Sequence, residues 1–117
     1  NTLDVDGNGS YDALTDGIMV IRYLFNPGQS SSALTSSALG SNPTRTAEEI
    51  KTYLASSASI LDVDGNGSSD ALTDGIMAIR YLFNPGQSES ALTSSALGSS
   101  PGRTNTEIKS YLQSISQ

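Results

Sequence analysis

The 117-residue chain predicts an all-α protein made of two tandem loop-helix repeats that form a small pseudo-twofold helical domain. Three observations predict it. Residues 3–59 align without gaps to residues 61–117, at a spacing of 58, with 45 of 57 positions identical, so the repeat is the unit of structure. Apolar residues in each copy recur at helical spacing. No segment alternates apolar and polar residues for long, so very little strand is expected. The two units are residues 1–59 and 60–117, packed together as one domain.

Each copy begins with an acidic, glycine-bearing loop, residues 4–16 and 62–74. A helix follows at about residues 14–25, where Leu14, Ile18, Ile21 and Phe25 keep helical spacing and Asn26-Pro27-Gly28 ends it. The next stretch, residues 29–44, is Ser-rich. Ala33, Leu34, Ala38 and Leu39 can form one or two helical turns there, stopped by Gly40 and Pro43. Such a stretch also suits O-glycosylation or a flexible linker. A second helix starts at Thr46, which forms a capping box with Glu49, and carries Ile50, Tyr53 and Leu54 as its apolar stripe. The second copy repeats this with Thr104, Glu107, Ile108, Tyr111 and Leu112.

Composition narrows the function. Only 36% of residues are hydrophobic, and Trp, Cys and His are absent. A chain this small builds a thin core and commonly adds disulfides or a metal. Without Cys, the metal remains. The net charge is −6, and 8 of the 12 acidic residues are Asp confined to the two loops. No basic stripe is present to neutralise phosphates, so nucleic acid is not an expected partner. No apolar run is long enough for membrane insertion, and no signal peptide is evident. The chain opens inside its first motif, which reads as a piece of a longer protein.

The loops carry the chemistry. The first offers Asp4, Asp6, Asn8, Ser10, Asp12 and Asp16, and the second Asp62, Asp64, Asn66, Ser68, Asp70 and Asp74. Calcium takes six to eight oxygen ligands at about 2.3–2.6 Å. Side chains at positions 1, 3 and 5 of a coiling loop converge, Gly9 permits the sharp turn, Ser10 offers its carbonyl, and Asp16 closes the shell. Asp12 either ligates, directly or through water, or serves as a plain helix N-cap, as does Asp70 in the second copy. Two carboxylates about 5 Å apart repel by roughly 1–3 kcal/mol. A closed loop without metal is therefore unfavourable. An all-oxygen donor set favours calcium, about two ions per chain, with magnesium second.

Asp-Val-Asp-Gly-Asn-Gly, followed by Thr-Asp and a helix bearing Ile-Arg-Tyr-Leu, resembles the calcium loop of bacterial dockerins, which are EF-hand-like. The likeness covers about 25 residues of each repeat. It implies calcium binding through Asp4, Asp6, Asn8, Ser10 and Asp16 and their counterparts, and an extracellular setting (secreted or cell-surface). Two features depart from the family. The loop has 13 residues instead of twelve, so one residue is inserted between Gly9 and Asp16. The connection between the loops, residues 26–61, is far longer. The pairs matching the dockerin recognition dipeptide are Leu14-Thr15 and Leu72-Thr73.

The leading expectation is a calcium-stabilised structural or interaction module of a larger extracellular bacterial protein, touching neighbouring repeats of its parent. The alternative is an adaptor that docks to a cohesin-like partner. Catalysis is not expected: outside the loops the only acids are Glu48, Glu49, Glu89 and Glu107. Arg22, Arg80, Arg45 and Arg103 read as surface ion pairs. Tyr23, Tyr81, Tyr53 and Tyr111 read as core. The C-terminal helix is expected to fold back to the first loop, with an open array as the other possibility.

Overall fold

The computed structural model describes residues 2–116, and among these it is all-helical with no strand. The helix after the first loop begins with a π-helical turn, Ala13–Gly17, and continues as α1, Ile18–Phe25. A short α2, Ser31–Thr35, and a longer α3, Ala47–Ser56, complete the first copy. The second copy repeats the pattern: a π-helical turn at Ala71–Gly75, α4 at Ile76–Phe83, α5 at Glu89–Thr93 and α6 at Asn105–Ile115.

The caps are those the sequence encodes. Thr46 accepts the Glu49 N–H while Glu49 accepts the Thr46 N–H, and Thr104 and Glu107 do the same. Each such cap contributes about 1 kcal/mol. At the end of α1, Asn26 accepts the Gly28 N–H, and the Gln29 side chain donates to the Arg22 carbonyl. The Ser-rich stretch is folded, not a loose linker. Ser30 caps α2, and Leu34 and Ala38 are fully buried.

One hydrophobic core draws on both copies, with Leu3, Met19, Leu34 and Ile50 from the first and Leu61, Met77, Leu92 and Ile108 from the second. Each such side chain contributes about 1.5–3 kcal/mol by leaving water. α1 packs against α4 and against the π-helical turn of the other copy, and α4 does the reverse. Gly17 and Gly75 permit this crossing. A Cβ on Gly17 would stand 3.0 Å from Ile79 Cγ1, and one on Gly75 would stand 3.1 Å from Ile21 Cγ1.

The apolar stripe that marks the first helix is not the face it buries. Met19, Val20 and Tyr23 face the core, Ile18 and Ile21 are half-buried, and Leu14 and Phe25 are 65% and 62% exposed. Within α1 the buried face is the neighbouring strip of Met19, Val20 and Tyr23, so Ile18, Ile21 and Phe25 flank the core; the π-helical turn precedes these residues and leaves their mutual phase unchanged.

The chain closes on itself at its ends. The Ile115 carbonyl at the end of α6 accepts the N–H groups of Thr2 (2.9 Å) and Leu3 (3.3 Å). The Tyr111 hydroxyl one turn earlier donates instead to the Ile60 carbonyl, at the entrance of the second loop. The Tyr53 hydroxyl of α3 donates likewise to the Thr2 carbonyl at the first loop, so each long helix lies along its own copy's loop; α3 then continues into the second loop, and α6 reaches the first through the Ile115 carbonyl.

Candidate metal centre

Each loop is built around its own backbone N–H groups. Asp4 accepts from Asn8 (3.1 Å) and Gly9 (2.9 Å), Asp6 from Asn8 (3.3 Å), and Asn8 Oδ1 from Ser10 (2.9 Å). Asp16 reaches back from the π-helical turn. Its Oδ1 accepts from Val5 (2.7 Å) and Asp6 (3.3 Å), and its Oδ2 from Asp12 (2.9 Å). The second loop repeats these bonds around Asp62, Asp64, Asn66 and Asp74. Gly7 and Gly9 hold φ of +71° and +90°, so two glycines, and not Gly9 alone, turn the chain.

The result is two clusters of carboxylates. Oxygens of Asp4, Asp6 and Asp16 lie within 4.8 Å of one another, as do those of Asp62, Asp64 and Asp74. Asp6, Asp16, Asp64 and Asp74 are 0% exposed. A carboxylate has about four lone-pair sites, so accepting one or two N–H groups leaves each oxygen able to bind a cation. Burial, opposed by the Asp12 N–H and reinforced by the Asp6 charge, pushes the Asp16 carboxyl up to about 6. Burial is also the main cause raising that of Asp74. Three acids held this closely can hold a metal ion, and hard oxygen donors fit a hard divalent cation. No protein-family model, curated protein or solved structure matches the chain. The reading of the site therefore rests on its own geometry.

Asn8 and Ser10, with Asn66 and Ser68, lie in the loops beside the clusters. Asn8 Nδ2 donates to the Ser41 carbonyl (3.0 Å), which leaves its oxygen on the loop side. Asp12 and Asp70 stand apart. They are exposed, lie outside the clusters, occupy N-cap positions, and make no side-chain cap bond. Their backbones matter instead. The Asp12 carbonyl accepts the Gly17 N–H (3.0 Å), the five-residue bond of the π-helical turn, and Asp70 accepts that of Gly75. The wide turn delivers Asp16 to the cluster.

The arginines correct the ion-pair expectation, because their guanidinium groups bind backbone carbonyls. Arg22 donates to Leu34 and Ser36, and Arg80 to Leu92 and Ser94. Arg45 donates to Asp4 and Val5, and Arg103 to Asp62 and Val63. Tyr23 and Tyr81 are core residues, as expected. Tyr53 and Tyr111 are half-buried under Arg45 and Arg103, 3.9 and 3.7 Å from cation to ring centre. Sequence reading missed the Ser-rich connector as part of the site. The Gly40 N–H donates to Asp6 Oδ2 (2.7 Å), and that of Gly98 to Asp64 Oδ2 (2.6 Å). The available signal was that Gly40 and Arg45 recur as Gly98 and Arg103.

Proposed function

We propose that the chain is a calcium-binding structural or interaction module of a larger extracellular bacterial protein, taking up two calcium ions that stabilise its fold. Its loops would be variants of the EF-hand, arranged as in dockerins but separated by a folded connector. The observation that carries this reading is the convergence of three carboxylates, two of them fully buried, at the same place in both copies. Without a cation such a cluster opposes folding; with one, the sign reverses. Calcium is preferred to magnesium because a coiled loop of many oxygens suits a flexible shell better than a strict octahedron.

The test is a calcium titration of chelator-stripped protein, followed by far-ultraviolet circular dichroism and calorimetry. A gain of helix that saturates near two ions per chain is expected. No uptake at millimolar calcium would reduce the loops to ordinary turns. A second reading, a dockerin-type adaptor docking to a cohesin-like partner, is favoured by the exposure of Leu14 and Leu72 beside Thr15 and Thr73.

A further inference from the structure

The Ser-rich connector grips each acidic loop from outside. Besides the bond from Gly40 to Asp6, the N–H groups of Thr44 and Arg45 donate to the Asp6 carbonyl at 3.0 and 3.3 Å. Arg45 Nη1 donates to the carbonyls of Asp4 (2.8 Å) and Val5 (2.9 Å). In the second copy Gly102 and Arg103 bind the Asp64 carbonyl at 2.8 and 3.0 Å, and Arg103 Nη1 binds those of Asp62 and Val63.

We propose that Gly40 and Arg45, with Gly98 and Arg103, are positioning residues that set the calcium affinity of the two loops. This rests on the calcium reading above. Gly40 keeps a backbone conformation open to any L residue, so no turn requires a glycine there. Space does. A Cβ on Gly40 would stand 2.5 Å from Asn8 Nδ2 and 3.0 Å from Asp6 Oδ2, and one on Gly98 would meet Asn66 and Asp64 in the same way. An alanine must therefore push apart the third and fifth loop positions, two of the expected ligands. Arg45 acts from the other side. Its paired bonds fix the peptide planes of residues 4–6, and its stacking on Tyr53 holds the guanidinium still. Losing such outer partners typically costs about 10–100-fold in metal affinity. Linkage makes the effect reciprocal, so calcium must tighten the connector by the same factor.

The experiment compares the full chain with Gly40→Ala, Gly98→Ala, Arg45→Met and Gly28→Ala. Calcium is titrated by calorimetry, with the amide resonances of Gly9 and Gly67 reporting each loop. Gly40→Ala is expected to weaken the first site by about 10–100-fold and leave the second alone, and Gly98→Ala the converse. Gly28→Ala should change neither, because its Cβ meets only Asn26 Oδ1, at 3.6 Å. Arg45→Met carries a sign test. Removing a positive charge near a cation should tighten binding if charge decides, and weaken it if positioning decides. Tightening at the first site overturns the role of Arg45. Unchanged binding in Gly40→Ala, with a wild-type chain that takes up calcium, overturns this inference alone. A wild-type chain that takes up none overturns the calcium reading with it. If Gly40→Ala does not fold, the wild-type chain decides: hydrogen exchange at the Gly40 and Gly98 amides should slow when calcium is added, and an unchanged rate overturns the proposal.

Discussion

The Thr2 N–H donates to the Ile115 carbonyl at 2.9 Å, and the Ile60 N–H donates to the Ser57 carbonyl at the same distance. Thr2 and Ile60 are equivalent residues of the two copies, as are Ile115 and Ser57. One bond spans a continuous stretch of chain, and the other joins the two ends of the described structure. The fold is therefore a ring of two repeats, interrupted at one of two equivalent points.

A circular permutant follows from this. With one terminal residue removed and the ends joined, the ring has two equal units of 58 residues. New termini fit at the exposed turn between Pro27 and Gly28. The permutant is expected to melt within a few degrees of the parent and to bind the same number of calcium ions. A collapse of both properties would show that the ends are held by less than the backbone bonds imply.

Removing one ligand from each loop tests the division into two sites. Asp4→Ala and Asp62→Ala should each abolish one of two calcium-binding events. If calcium stands at 100 times the dissociation constant, one site is worth about 2.7 kcal/mol, so each variant should lose that increment only when calcium is present. In metal-free protein the lost N–H acceptor and the relieved repulsion offset each other, and little change is expected. Equal melting of variants and wild type in saturating calcium would contradict the assignment.

The sequence displayed the loops and the helices with unequal clarity. The clustering of Asp4, Asp6 and Asp16 was legible because acids in a fixed order around a glycine stand out along the chain, and so were the caps at Thr46 and Thr104. Asp12 was ambiguous because an acid before a helix serves either as a cap or as a ligand. Its actual contribution, a carbonyl bonded to Gly17, leaves no mark on residue type. The roles of Gly40 and Arg45 depend on contacts 34 and 41 residues away in the chain, which periodicity does not encode. The facing of α1 was obscured because two neighbouring strips, Ile18, Ile21 and Phe25 on one side and Met19, Val20 and Tyr23 on the other, are both apolar at helical spacing, and periodicity alone does not choose between them.

Acidity should act in opposite directions with and without metal. The Asp16 carboxyl is pushed up to about 6, above its ordinary value of 3.8, and Asp74 is raised as well. Between those values the folded, metal-free chain holds protons that the unfolded chain has released. Its stability is thus greatest below the unfolded value and falls as pH rises through the folded one. Calcium requires the ionised ligands, so the calcium-dependent gain grows over the same window. Melting of chelator-stripped protein is expected to be lower near pH 7 than near about pH 4.5, and the rise on adding calcium larger near pH 7. Higher melting of the metal-free chain at neutral pH would contradict this account.

The orientation of the first helix yields the sharpest contrast between two side chains. Met19 is fully buried, and Leu14, five residues earlier, is 65% exposed. Truncating a buried Met typically costs about 2–5 kcal/mol, whereas a surface change usually stays within about 0.5 kcal/mol. Met19→Ala should therefore melt far below wild type in saturating calcium, and Leu14→Ser should melt with it. The double variant Leu14→Ser with Leu72→Ser should keep the calcium titration intact. If the module is an adaptor, the same variant should lose its protein partner while keeping its fold, because these two leucines stand out from the surface and contribute little to the core. A large loss of stability in Leu14→Ser would mean that Leu14 packs into the core and not against solvent.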